Sequence, residues 1–141
     1  MASYYKGLEF KTSLEARWAA FFDLAGWSWW VNPRSIENWR PDFMVTFPCG
    51  HSECGGSHTL LVSVLPVSSV AAAKEHPCLT HTYQVKGDDE EWVADAGALF
   101  GNEPSVTAWE MSHGAGGGMD EVTNWVPNAG EYWERAKSLI E

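Results

Sequence analysis

Apolar residues at 14, 18, 21, 22 and 25 recur at steps of three and four, so Leu14, Trp18, Phe21, Phe22 and Ala25 share one face of a helix over 12–25. Thr12 stands where an N-cap is needed, and Glu15 follows three residues later as a capping-box partner. Gly26 ends the segment, because glycine tolerates the left-handed conformation that closes a helix. The aromatic run 27–31 and the segment 42–47, the latter bracketed by Pro41 and Pro48, predict two strands. Segment 59–65 is almost continuously apolar and predicts a strand buried on both faces, ended by Pro66.

Beyond it, three alanines after Ser68 and Ser69 predict a short helix over 67–75. Segments 81–86, 91–94 and 106–111 are candidate strands, antiparallel because their connections are short. The glycine-rich stretch 114–118 predicts a mobile loop. A last helix over 131–140 takes Asn128 as its cap and Tyr132, Trp133, Ala136, Leu139 and Ile140 as its apolar stripe. The order describes an α/β (or α+β) fold: a single domain over 1–141, with a mixed central sheet flanked by an N-terminal and a C-terminal helix.

Composition changes the picture in two ways. Nine tryptophans in 141 residues are unusual, and a core role is their first explanation. Trp18, Trp27, Trp29, Trp109 and Trp133 fall at positions that periodicity buries, whereas Trp30, Trp39, Trp92 and Trp125 are harder to bury together. Exposed aromatics anchor protein interfaces, so a protein partner or a homodimer is expected. Charge is the second point: nine Lys and Arg face nineteen Asp and Glu, a formal net charge of −10. Binding to nucleic acid draws most of its non-specific affinity from basic groups, so nucleic acid is not the expected partner. The run Asp88-Asp89-Glu90-Glu91 reads as a solvated turn. No apolar run is long enough for a membrane span, the N-terminus lacks a secretory h-region, and three cysteines make no disulfide framework. A cytoplasmic protein is expected.

Two groups of residues carry candidate chemistry. The helix with Ser13-Leu14-Glu15-Ala16-Arg17-Trp18, then Arg40-Pro41-Asp42-Phe43, then Ser63-Val64-Leu65-Pro66 at a strand end, resembles the PD-(D/E)XK nuclease-like superfamily. More narrowly, it looks like a group of phage and actinobacterial proteins with that core. The resemblance covers about 8–66 and implies a restriction-endonuclease-like core over about 8–75. It also implies that a helix glutamate, the aspartate of Pro-Asp and the acid of Glu-x-Lys bind Mg²⁺, with the lysine assisting the attacking water. Glu15 and Asp42 match that pattern, but the third acid falls on Ser63 and the lysine on Leu65. Ser63 is a poor Mg²⁺ ligand and Leu65 carries no charge. Gln84-Val85-Lys86 offers a relocated pair, so Glu15, Asp42, Gln84 and Lys86 would be the catalytic set of an active enzyme.

The second group is the loop 48–58, where Cys49, His51, Cys54 and His58 bring four zinc-type ligands into ten residues. Glycines let so short a loop turn back on one ion. Structural zinc, a metal-free hairpin loop and a catalytic metal with one open position are the three readings of this spacing, and Cys78, flanked by His76 and His81, could replace one ligand. His113, before the glycines, suggests a phosphate cradle, yet no Gly-x₄-Gly-Lys-Ser pattern accompanies it, and a mobile loop is the better reading. The C-terminal strands and helix over 80–141 carry no further motif. The favoured expectation is a non-catalytic phage-type accessory protein that binds a protein, such as a host nucleic-acid-handling or defence protein, and inhibits it. The alternatives are a metal-dependent DNA endonuclease and a small structural or assembly protein.

Overall fold

The computed structural model describes residues 3–50, 52, 54–113 and 116–141. The chain starts with a hairpin, β1 (Ser3–Tyr5) and β2 (Leu8–Phe10), followed by α1 (Ser13–Ala25). Strands β3 (Ser28–Val31), β4 (Phe43–Pro48) and β5 (Ser57–Val64) come next. A 3₁₀ turn at Val70–Ala73 and the one-turn α2 (Pro77–Thr80) lead to β6 (Val85–Lys86) and β7 (Trp92–Ala94). The chain closes with β8 (Ala96–Phe100), β9 (Thr107–His113), β10 (Gly116–Asp120), a 3₁₀ turn at Val122–Asn124 and α3 (Ala129–Leu139). Six strands form one mixed sheet in the order β10-β9-β8-β5-β4-β3, in which only β5 and β8 run parallel. The mixed α/β expectation of one sheet with flanking N- and C-terminal helices holds.

Local sequence explains the first helix. The Thr12 hydroxyl accepts the Glu15 N–H at 3.1 Å, and Gly26 closes the helix with φ of 79°. Only half of the expected capping box forms. The Glu15 carboxylate takes the N–H of Lys11, at 3.1 Å, instead of that of Thr12. Its other oxygen is thereby left facing a cleft.

Alternation along the strands divides the core in two. Phe43, Val45, Phe47, Leu60, Val62, Ala96, Ala98 and Phe100 face α1 and α3, while Leu61 and Leu99 point to the opposite face. Trp18 centres the larger half: its ring meets Phe100 edge-on at 4.8 Å and lies 4.3 Å from Trp133. Its indole N–H donates to the Gly101 carbonyl at 2.9 Å, so the polar edge of a wholly buried ring is satisfied. The Asp23 carboxylate fastens the N-terminal hairpin and β3 to α1, accepting from Tyr5 (2.6 Å) and Trp29 (2.9 Å) and pairing with Lys6 (2.9 Å). Burial works to raise its pKa, but the bonds from Tyr5, Lys6 and Trp29 outweigh it and hold the carboxyl below its ordinary range. The smaller half packs α2 and the β6–β7 hairpin on the other face, around Ile36, Trp39, Cys78 and Leu99. Contact there is close: a Cβ on Gly97 would stand 2.6 Å from the Cys78 carbonyl.

Several expectations need correction. The predicted helix over 67–75 is a four-residue 3₁₀ turn followed by α2, because Pro77 starts a new N-terminus rather than continuing the old one. Only Val85 and Lys86 of the predicted strand 81–86 pair. Within 114–118, Gly114 and Ala115 lie outside the described residues, but Gly116–Gly118 form part of β10, paired with β9. Trp39 is buried because a bridge between Ile36 and Trp39 folds it under the sheet, whereas Trp30 and Trp92 are half exposed. No helix among the described residues is long and apolar enough to cross a membrane.

Candidate functional site

The β4–β5 hairpin carries one group of chemically competent residues at each end. At its open end, Asp42 precedes β4 and Ser63 and Val64 finish β5. The N-terminal turn of α1 adds Glu15. Together with Lys11, Trp39, Arg40 and His76, these residues line a cleft of about 500 Å³. Glu15, Asp42, Ser63 and Leu65, assigned from motif alone, thus all reach one cavity. Gln84 and Lys86 do not line it; Lys86 sits on β6 and faces Glu90 at 4.0 Å.

The carboxylates in that cleft are already matched by the chain. The Lys11 ammonium lies 3.0 Å from Asp42 Oδ1 and 3.5 Å from Glu15 Oε1. Glu15 Oε2 accepts the Lys11 backbone N–H, and Asp42 Oδ2 accepts the Val64 N–H at 2.8 Å. Every oxygen of the pair therefore faces a donor of the protein itself. Burial raises the pKa of Glu15, and the neighbouring Asp42 raises it further, with Lys11 opposing both. The hydrogen bond to Asp42 in turn raises the pKa of Lys11. Ser63 is likewise engaged, accepting the Trp39 indole N–H at 2.8 Å.

At the closed end the two cysteines, His58 and a residue from elsewhere converge. Cys49 and Cys54 lie in the β4–β5 loop, His58 is the second residue of β5, and His113 ends β9. Their ligand atoms all lie within 4.8 Å of one another. The topology explains why. Strand β8 runs parallel to β5 and β9 antiparallel to β8, so the end of β9 returns to the start of β5. His51, expected from spacing, lies outside the described residues. Cys78 is not part of this group: it is buried in the core on the other face, where burial pushes its thiol up to about 12.

The donor set fits zinc in chemistry, and the three distances from His113 fit it in geometry. Zn–S and Zn–N bonds of about 2.3 and 2.05 Å at tetrahedral angles place two nitrogens about 3.4 Å apart and a sulfur about 3.6 Å from a nitrogen. His113 Nδ1 lies 3.4 Å from His58 Nε2, 3.6 Å from Cys49 Sγ and 3.7 Å from Cys54 Sγ. Cys49, Cys54, His58 and His113 are thus clustered so that they could hold a metal ion such as zinc. Around them, the Trp125 ring meets His113 and His58 edge-on, with centroids 5.3 and 5.8 Å away. Seven strand steps of about 3.3 Å separate Asp42 from Cys49, so this centre stands about 20 Å from the carboxylate cleft.

His113 is the residue that sequence spacing missed. It lies 55 positions beyond His58, and only strand order brings it in. No protein-family model, curated protein or solved structure matches the chain.

Proposed function

We propose that the protein is a zinc-clamped, catalytically silent relative of PD-(D/E)XK nucleases that acts by binding a protein partner. The observation that carries this reading is the closed state of the carboxylate pair. A hydrolytic Mg²⁺ needs open oxygen ligands, whereas Lys11 and two backbone N–H groups meet all four oxygens of Glu15 and Asp42. Ser63 and Leu65 supply neither a third acid nor a cation. The restriction-endonuclease-like core is supported by the placement of Glu15 on α1, Asp42 before β4 and Ser63 on β5 around one cleft.

Zinc belongs to the other end of the hairpin and has a structural role there. Four protein ligands complete a tetrahedron and leave no open position for a reacting water. The ion ties the β4–β5 loop to the end of β9 across the start of β8. Partner binding is supported by the half-exposed Trp30, Trp92 and Tyr83 and by the net charge of −10, which favours a basic surface. A nucleic-acid-handling or defence protein of a phage host has that character, and inhibiting it is the activity this reading assigns.

Incubation of the zinc-loaded protein with plasmid and linear DNA in Mg²⁺ or Mn²⁺ tests the reading. No cleavage above that of an Asp42→Ala control is expected. Cleavage that Asp42→Ala abolishes would establish the endonuclease instead, and loss in Lys86→Ala as well would place its lysine on β6.

A further inference from the structure

The zinc centre has an outer part that the ligand spacing does not reveal. His58 directs Nε2 at the ligand cluster, 3.4 Å from His113 Nδ1. Its other nitrogen, Nδ1, is buried and makes no hydrogen bond within ordinary geometry. A buried ring nitrogen without a partner is costly, about 1–3 kcal/mol. The nearest acceptor is Asp95 Oδ2, at 3.4 Å. Asp95 is itself held in place: its Oδ2 accepts the Thr59 N–H at 2.8 Å, and its own N–H donates to the Thr59 carbonyl at 2.8 Å. It immediately precedes β8, docked beside the residue that follows His58.

We infer that Asp95 is the positioning residue of this centre, accepting the Nδ1–H of a His58 that binds zinc through Nε2. The inference rests on the zinc reading above and deepens it. Ligation at Nε2 leaves the proton on Nδ1, and withdrawal of ring electrons by the ion makes that N–H a stronger donor. Closing the 3.4 Å separation by a few tenths of an ångström gives an ordinary hydrogen bond. The carboxylate then fixes both the tautomer and the ring plane of His58. His113 ligates through the opposite nitrogen, Nδ1, so the two imidazoles enter with different edges.

Zinc affinity measured by competition with a chromogenic chelator tests this. Asp95→Ala is expected to bind zinc about 10–100-fold more weakly than the wild type, and Asp95→Asn to fall between them. In a His58→Ala background the same Asp95→Ala change should leave zinc affinity unaltered, since Asp95 acts only through that ring. Long-range ¹H–¹⁵N spectra of the zinc-loaded protein should show His58 with its proton on Nδ1. If Asp95→Ala does not fold, Asp95→Asn and the spectrum decide. Equal affinities for wild type and Asp95 variants, with one zinc still lost in Cys49→Ser, would overturn the role of Asp95 alone. A loss of the same size in the His58→Ala background would also overturn it, as a general effect on the hairpin. A wild-type protein that takes up no zinc would overturn the zinc reading and this inference together.

Discussion

Replacing His113 separates the centre assembled by the fold from the one suggested by spacing. A ligand that binds only the folded chain stabilises it by RT ln(1 + [L]/Kd), about 2.7 kcal/mol when free zinc is a hundredfold above Kd. For a domain of this size each kcal/mol raises Tm by about 4 °C, so zinc should raise the wild-type Tm by about 10 °C. His113→Ala removes one ligand of four. If affinity falls about a hundredfold, the same free zinc sits at Kd and contributes about 0.4 kcal/mol, an increment of about 2 °C. His51→Ala should retain the full increment, because the proposed zinc set is Cys49, Cys54, His58 and His113, whose ligand atoms lie within 4.8 Å of one another. The assay is thermal unfolding followed by circular dichroism, with zinc and then with chelator. Tryptophan fluorescence adds a local signal, since the Trp125 ring lies 5.3 Å from that of His113. Chelator-treated wild type and His113→Ala should melt together. A full zinc increment in His113→Ala, or its loss in His51→Ala, would refute the reasoning.

Two further outcomes follow from the same geometry. Asp23→Asn should cost about 2 kcal/mol by weakening charged hydrogen bonds from Tyr5 and Trp29 and the Lys6 pair. Because the folded carboxyl of Asp23 titrates below its ordinary range, its contribution is complete above about pH 4 and is lost as pH falls through the folded value. Acid unfolding followed from pH 6 downward should therefore lose part of its slope in Asp23→Asn; an unchanged curve would remove Asp23 from the account. Alkylation followed by mass spectrometry should find Cys78 inert in the folded protein, since burial holds its thiol at about 12. Cys49 and Cys54 should react once zinc is chelated, and rapid labelling of Cys78 would contradict its placement under the sheet.

Much of this was legible in the sequence where local rules act alone. The α1 helix needed only its apolar period, the Thr12 cap and Gly26. Cys49, Cys54 and His58 declared themselves by residue type and proximity. What stayed hidden depends on pairing between distant segments. Strand β8, Ala-Gly-Ala-Leu-Phe, is short and buried on both faces, so it has no alternation to read. The glycines of β10 favour a loop by propensity, and pairing with β9 overrides it. The first hairpin turns on Lys6 and Gly7, both with positive φ, a signal easily passed over in an otherwise unmarked terminus. His113 joined the Cys/His cluster by the same route, through strand order rather than spacing. Lys11 is the sharpest case. Nothing near it in sequence marks it as the partner of Asp42, 31 positions away; the connection follows from the start of α1 facing the end of the β4–β5 hairpin.

The pairing of Lys11 with Asp42 and Glu15 is the central claim, and Mn²⁺ titration followed by electron paramagnetic resonance tests it most directly. With the zinc centre loaded, the wild-type protein should leave the six-line signal of free Mn²⁺ undiminished at micromolar ion, because Lys11 and two backbone N–H groups already meet the carboxylates. One equivalent of Mn²⁺ bound by the wild type and lost in Asp42→Ala would contradict the claim and return the cleft to the nucleases.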